Sequence, residues 1–224
     1  MKKPQSSKRS SKTRVVDAAA PDSGIINEAL RVLKGGGMVV FPTRCLYGIA
    51  ADAANIRAVE HLYRVKHRLA DKPIPILVDG YGMLSRVAQD VPPHTRQLLK
   101  TVWPGRLTVV LWAHPRVPDI LTAGTGNIGV RMPGHPVARA LVQRFGRPIT
   151  ATSANISDQA GCNDLRQLNP VLYSGVDMVL DAGPLEGGVG STVLDLTVTP
   201  YRILREGAVS RAELSRILGP GGLA

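Results

Sequence analysis

The chain predicts a mixed α/β (α+β) fold, a twisted mixed β-sheet flanked by helices, and three observations carry that reading. Helical and strand patterns interleave from residue 23 to residue 218. Strand patterns outnumber helical ones toward the C-terminus, which argues against a purely parallel, doubly wound sheet. With 224 residues and 44% hydrophobic content, the chain can build one substantial core.

The elements follow in order. Asp22 or Ser23 offers an N-cap, Ile25, Ile26, Ala29, Leu30 and Leu33 form one apolar stripe, and Gly35 supplies a stop, so residues 23–34 are expected to be helical. Residues 38–41 read as a buried strand that empties into a polar turn. Asn55 caps a second helix with Val59, Leu62 and Tyr63 on one face, leaving Lys66 and Arg68 at or just beyond its last turn. Residues 74–78 read as a strand, 95–102 as a helix behind Pro92-Pro93, and 107–112 as a strand, with Trp103-Pro-Gly105 breaking the chain between the last two. A strand over 127–132 precedes a helix over 137–145, with Pro136 in its first turn and Gly146 as its stop. Further strands are expected at 149–152, 178–180, 192–196 and 201–204. Ser210 and Glu213 then form a capping box that opens a helix over 212–218.

One domain, residues 15–218, is expected. A disordered basic tail over residues 1–14 precedes it and a flexible stretch over 219–224 follows. The first fourteen residues hold six Lys or Arg, no acid and no apolar stretch, so a secretory signal is excluded and a transit peptide disfavoured. Removing those six charges from the net +11 leaves +5 on the rest, a modest excess that favours anionic partners such as nucleotides or RNA. No apolar run approaches the roughly 18 residues of a membrane span, and Cys45 and Cys162 lack any metal or redox spacing, so a cytoplasmic protein with reduced thiols is expected.

The common catalytic signatures are absent: no GxxxxGK[ST] loop, GxSxG elbow or HExxH pair occurs, and the five histidines have no metal-ligand spacing. What remains is a set of polar groups at expected strand ends: Thr43 and Tyr47, Lys66 with Arg68 and Lys72, Arg131, Ser153 with Asn155, Ser191 with Thr192, and Arg205. Each has a plain alternative. The cations suit a solvated helix end, Ser153-Ala-Asn155 a turn or cap, and Arg131 an edge strand. Strand ends are nonetheless where sites on such sheets lie.

The runs FPTRCLYGIAAD, KHRLADKPIPILV, WPGRLTVVL, NIGVRMPGHPVARAL, PITATSANIS, STVLDL and ILREGA, in this order across roughly residues 22 to 210, resemble the YrdC-like family of threonylcarbamoyl-AMP synthases, in its short, single-domain form. The resemblance implies a YrdC-like sheet with a large concave cavity. It also implies a nucleotidyltransferase that condenses L-threonine, bicarbonate and ATP to threonylcarbamoyl-AMP and pyrophosphate, with Mg2+ held through the phosphates. The product would feed the tRNA threonylcarbamoyl-transferase machinery. Carried over by motif, Lys66, Arg68, Asn155 and Arg205 contact ATP, with Lys66 and Arg68 the catalytic pair. Thr43, Tyr47, Arg131, Ser153 and Ser191 hold threonine or its carbamate, with Lys72 a further member. Asn127 stands where Thr is common in the family and is expected to donate to a phosphate. Leu77 stands where a His is frequent, and Arg44 and Cys45 replace acidic or polar and small residues after the Pro-Thr pair. The alternatives are an RNA-binding or ribosome-associated module of the same fold, for which 4% aromatic content offers little stacking surface, and a related carbamoyl transferase without threonine selectivity.

Overall fold

The computed structural model describes residues 13–224, so the expected basic tail lies outside the described residues except for Thr13 and Arg14. Eleven strands and eight α-helices make up the described chain. Strand β1 (Arg14–Asp17) leads into helix α1 (Ser23–Lys34), whose N-cap Asp22 accepts from the amides of Gly24 and Ile25. Ile26, Ala29, Leu30 and Leu33 are buried, as their spacing requires. Strands β2 (Val39–Pro42) and β3 (Tyr47–Ala50) follow, every residue of both buried. The expected polar turn is thus shorter than the sequence indicated: residues 43–46 form the hairpin connection, and Tyr47 already belongs to a strand. Gly48 permits this, since a Cβ there would meet the Phe41 ring at 3.0 Å.

Helix α2 (Ile56–Val65) starts at the Asn55 cap and ends at Lys66. Then come β4 (Ile76–Leu77), α3 (Tyr81–Val87), α4 (Pro93–Val102), β5 (Leu107–Trp112), α5 (Asp119–Thr122), β6 (Asn127–Arg131) and α6 (Pro136–Phe145). Helix α6 closes on Gly146, which adopts the left-handed φ of 70° that suits a glycine C-cap. The remainder comprises β7 (Ile149–Thr150), β8 (Thr152–Ser153), α7 (Pro170–Gly175), β9 (Met178–Asp181), β10 (Thr192–Asp195), β11 (Arg202–Arg205) and α8 (Arg211–Leu218). The Ser210 side chain caps α8 through the Glu213 amide.

The strands divide between two mixed sheets, ordered β1-β9-β2-β3-β8 and β11-β10-β5-β6-β4-β7. The mixed pattern expected from the sequence holds, and its division into two sheets is the added finding. The stretch expected as one strand over 149–152 explains the division. Ile149 and Thr150 pair with Leu77 and Ile76 in the second sheet, whereas Thr152 and Ser153 pair with Ile49 and Gly48 in the first. Only Ala151 separates them. Its amide donates to Pro75 O at 2.8 Å, and the buried Thr150 hydroxyl accepts from the Ala51 amide at 2.8 Å, so the crossing is fastened on both sides. In the closing residues the Ala224 amide donates to Tyr201 O and Arg211 to the Ala224 carbonyl oxygen. No helix of the described residues is long and apolar enough to cross a membrane.

Candidate active site

Both sheets contribute to a cavity of about 750 Å3. Phe41, Tyr47, Thr152 and Ser153 come from the first sheet; Leu77, Thr108, Asn127, Gly129, Arg131 and Val193 come from the second. Thr43, Lys66, Arg68, Asn155, Ser191 and Arg205 complete the convergence, so ten residues singled out from six separated segments of the sequence line one hollow. Lys72 does not line it. Its ammonium is paired with both carboxylate oxygens of Asp158 at 2.7 Å, on the rim.

Lys66 stands at the C-terminal end of α2, but it is no surface cation: it is only 1% exposed. Its Nζ donates to Ser153 O and Asn155 O at 2.6 Å each and to Asn155 Oδ1 at 3.2 Å. Three donors thus meet three acceptors, and the ammonium fastens the Ser153-Ala-Asn155 turn to α2. Burial, with the neighbouring Arg68 guanidinium second, pushes Lys66 down to about 7. The three oxygens around Nζ act in the opposite sense, favouring the charged form. The Ser153 hydroxyl donates to Asn155 Oδ1 at 2.6 Å, which orders the turn further.

Arg68 is braced through Nε to Lys72 O and through a terminal nitrogen to Pro73 O. Arg131, at the end of β6, donates through Nε to Gly105 O at 2.8 Å, and burial lowers it to about 10, with Arg205 adding repulsion. Arg205 donates to Ser191 O at 2.7 Å, and is itself lowered by burial first and by Arg68 second. These couplings place Lys66, Arg68, Arg205 and Arg131 in a chain of mutual repulsion. Among the described residues none of the four is salt-bridged to a carboxylate. Such a cluster is stabilised when an anion enters it.

Two hydroxyls assigned to threonine are already engaged. Tyr47 is fully buried, its phenol donates to Gly183 O at 2.7 Å and accepts from the Ala182 amide at 2.9 Å, and burial pushes it up to about 12. Thr43 donates to Leu46 O at 2.5 Å, closing the hairpin turn. Both contribute wall more than free donors. The Ser191 hydroxyl lies 2.8 Å from the Thr108 hydroxyl and its oxygen accepts from a terminal nitrogen of Arg205 at 3.3 Å.

Sequence reasoning missed Ser157 and Arg106. Both line the cavity, and the Ser157 hydroxyl oxygen is buried without a hydrogen-bond partner. Ser157 follows Asn155 on the turn that Lys66 holds, and only that proximity could have pointed to it. Asn127 Oδ1 is likewise buried and unpartnered. No group of three or more His, Cys, Asp or Glu among the described residues is placed to hold a metal ion.

The family model for the Sua5/YciO/YrdC domain, described as "Telomere recombination", matches residues 31–207. The chain belongs to the Sua5/YciO/YrdC family. A solved Sua5 of Pyrococcus abyssi complexed with L-threonine superposes with a TM-score of 0.88 at 32% identity, over 95% of this chain and 62% of that one. The Pyrococcus abyssi threonylcarbamoyl-AMP synthase is 35% identical over 87% of this chain, which spans only 57% of that relative's length. A Mycobacterium tuberculosis relative, 37% identical over 92% of this chain, is covered along 96% of its own length. The Sua5/YciO/YrdC fold therefore accounts for both sheets, and its members include chains of this extent as well as longer ones.

Proposed function

We propose that this protein is an L-threonylcarbamoyladenylate synthase, a nucleotidyltransferase that supplies threonylcarbamoyl-AMP to the cytoplasmic machinery modifying tRNA. One observation carries the reading: Lys66, Arg68, Arg131 and Arg205 line one cavity without carboxylate partners, beside the hydroxyl and amide groups of residues 153–155 and 191. The naming of a relative as threonylcarbamoyl-AMP synthase and the threonine complex of another support it.

The chemistry suits these groups. Threonine's amine takes up carbon dioxide from bicarbonate, and the resulting carbamate oxygen, already an anion, attacks the α-phosphorus of ATP while the bond to the bridging oxygen breaks and pyrophosphate departs. No strong protein base is required, so the absence of a catalytic His or carboxylate among the expected residues is no obstacle. Charge neutralisation and alignment are the demands. The terminal nitrogens of Arg131 offer a fork to threonine's carboxylate. Arg68 and Arg205 neutralise phosphate oxygens. Lys66 adds its charge and holds Ser153 and Asn155 in place. The cavity carboxylates Asp158 and Asp195 are engaged by Lys72 and by Thr197 and Arg202, so Mg2+ would be carried on phosphate oxygens, where it would supply charge neutralisation.

The test is a product assay with labelled bicarbonate and ATP, run with and without threonine. Threonine-dependent label in an adenylate together with pyrophosphate release is expected. Pyrophosphate release with carbamoyl phosphate and no threonine would overturn the reading in favour of a simple carbamoyl transferase.

A further inference from the structure

A second hollow, of about 510 Å3, adjoins the first. Among the described residues Arg106 and Arg131 alone line both, so these two guanidinium groups stand on the divide. Arg106 immediately precedes β5 and shares a face with Thr108 and Val110, the alternate residues that line the larger cavity. Its backbone is held on both sides. The Thr192 amide donates to Arg106 O at 3.2 Å, and Gly105, the preceding residue, accepts the Arg131 Nε bond. Arg106 is thus seated between Arg131 and the Ser191-Thr192 step, on the wall that carries the Ser191 and Thr108 hydroxyls.

The half-buried Arg106 side chain makes no hydrogen bond or salt bridge among the described residues. This separates it from Arg68, Arg131 and Arg205, each of which spends a nitrogen on a backbone carbonyl. The second hollow has one acid in its lining, Glu213, which is salt-bridged to neither arginine, and Arg44 there is engaged by Glu186. A guanidinium presents donors and no acceptor, so one left without partners in a hollow favours a planar oxyanion. In the reaction proposed above, ATP's phosphates face Lys66, Arg68 and Arg205, and threonine's carboxylate takes the fork of Arg131. Bicarbonate has no cation assigned to it. It is a planar oxyanion, and it must lie beside threonine's amine, hence close to Arg131. Arg106 is the adjoining unused fork.

We infer that Arg106 binds bicarbonate at the divide between the two hollows, next to the threonine held on Arg131. The inference rests on the synthase reading and adds to it a site for the smallest substrate. Bicarbonate and the free amine give carbamate and water: the carbon–nitrogen bond forms, the carbon–hydroxyl bond breaks, and the departing hydroxide takes up the amine's proton. The negative charge is kept through this step, so Arg106 faces an anion before and after it. Threonine's carboxylate and the ATP phosphates are the competing anions, and the experiment separates them.

The test compares the full-length wild type with Arg106→Gln and Arg106→Lys, each checked by thermal melting, in buffers depleted of carbon dioxide and supplied with measured bicarbonate. Arg106 has no partner in the chain to lose, so both variants are expected to fold. Arg106→Gln is expected to raise the bicarbonate KM about 10- to 100-fold, the range for a lost charged hydrogen bond, with threonine KM and calorimetric ATP affinity within about twofold. Arg106→Lys keeps the charge without the fork and is expected to fall between the two. An unchanged bicarbonate KM in folded Arg106→Gln overturns the inference, as does an equal rise in threonine KM or an equal loss of ATP affinity. Binding is also read without turnover, by carbon NMR of isotope-labelled bicarbonate with threonine present: the wild type broadens the line and Arg106→Gln does not. Arg106-dependent broadening in a protein that yields no adenylate defeats the synthase reading alone, and broadening that is absent or indifferent to Arg106 defeats the inference.

Discussion

The cations inside the cavity and those on its rim are of the same residue types, yet they are handled in opposite ways. On the rim, Lys72 faces Asp158 and Arg44 faces Glu186, each pair largely exposed. Inside, Lys66, Arg68, Arg131 and Arg205 repel one another and meet only carbonyl, amide and hydroxyl groups. The rim charges are paired, whereas the four interior ones form no carboxylate salt bridge among the described residues and carry an electrostatic cost that a bound anion would relieve. The difference supports the anionic ligand that the proposed function requires.

The contrast is broken most severely at Lys66. Lys66→Ala leaves Ser153 O, Asn155 O and Asn155 Oδ1 without their shared donor, so a loss of about 2–4 kcal/mol is expected, read as a fall in melting temperature of roughly 5–15 °C with near-complete loss of pyrophosphate release. An unchanged melting curve would place Lys66 among the ordinary surface cations. Arg131→Ala is expected to lower kcat/KM for threonine about 10- to 100-fold, the range for a lost charged hydrogen bond, while ATP affinity measured by calorimetry changes by less than about threefold.

The pH dependence sharpens the same contrast. Burial pushes Lys66 down to about 7, so its charge declines as pH rises through neutrality. Anionic ATP favours the protonated form, so binding takes up a proton between about pH 7 and 9, and ATP affinity weakens across that window. Calorimetry in buffers of different ionisation enthalpy measures the uptake, and Lys66→Met should abolish it. At the small end stands the rim: Arg44→Gln, in an exposed pair, is expected to shift the melting temperature by less than about 1 °C and leave turnover within about twofold.

Much of this arrangement was legible from local signals. Helices α1, α2 and α6 announce themselves by Asp22, Asn55 and Pro136 at their starts and by apolar stripes that the structure buries. Strand β5 matches its expected extent residue for residue, because it is a continuous apolar run bounded by a Trp-Pro-Gly break. Strand β1 went unread: it is four residues long, mostly exposed, and exists through its parallel pairing with β9, more than 160 residues away. Non-local pairing of that kind leaves no periodicity to find.

The candidate site was legible in its membership but not in how its groups are employed. Residue type, strand-end position and the family resemblance together gathered the ten residues, yet they did not show that Lys66 is bound by backbone carbonyls or that the Tyr47 hydroxyl is already engaged. Both assignments depend on which backbone carbonyls stand opposite, Ser153 and Asn155 for one and Gly183 for the other. Those partners lie about 90 and 136 residues along the chain. The unsatisfied oxygens of Asn127 and Ser157 are of the same kind, visible only once the wall around them is assembled.

The single-residue passage at Ala151 gives the hollow an unusual mechanical character. Thr152, which leads into the Lys66-held turn, and Thr150, on the strand next to β4, which pairs with the Arg131 strand, are joined by one peptide step on each side of Ala151 and by hydrogen bonds reaching both walls. The two walls therefore share a short covalent strut in place of a long flexible tether. A change in the aperture at this point turns on the backbone of Ala151, so the 149–150 strand and the 153–155 turn are tied at a short, fixed chain distance.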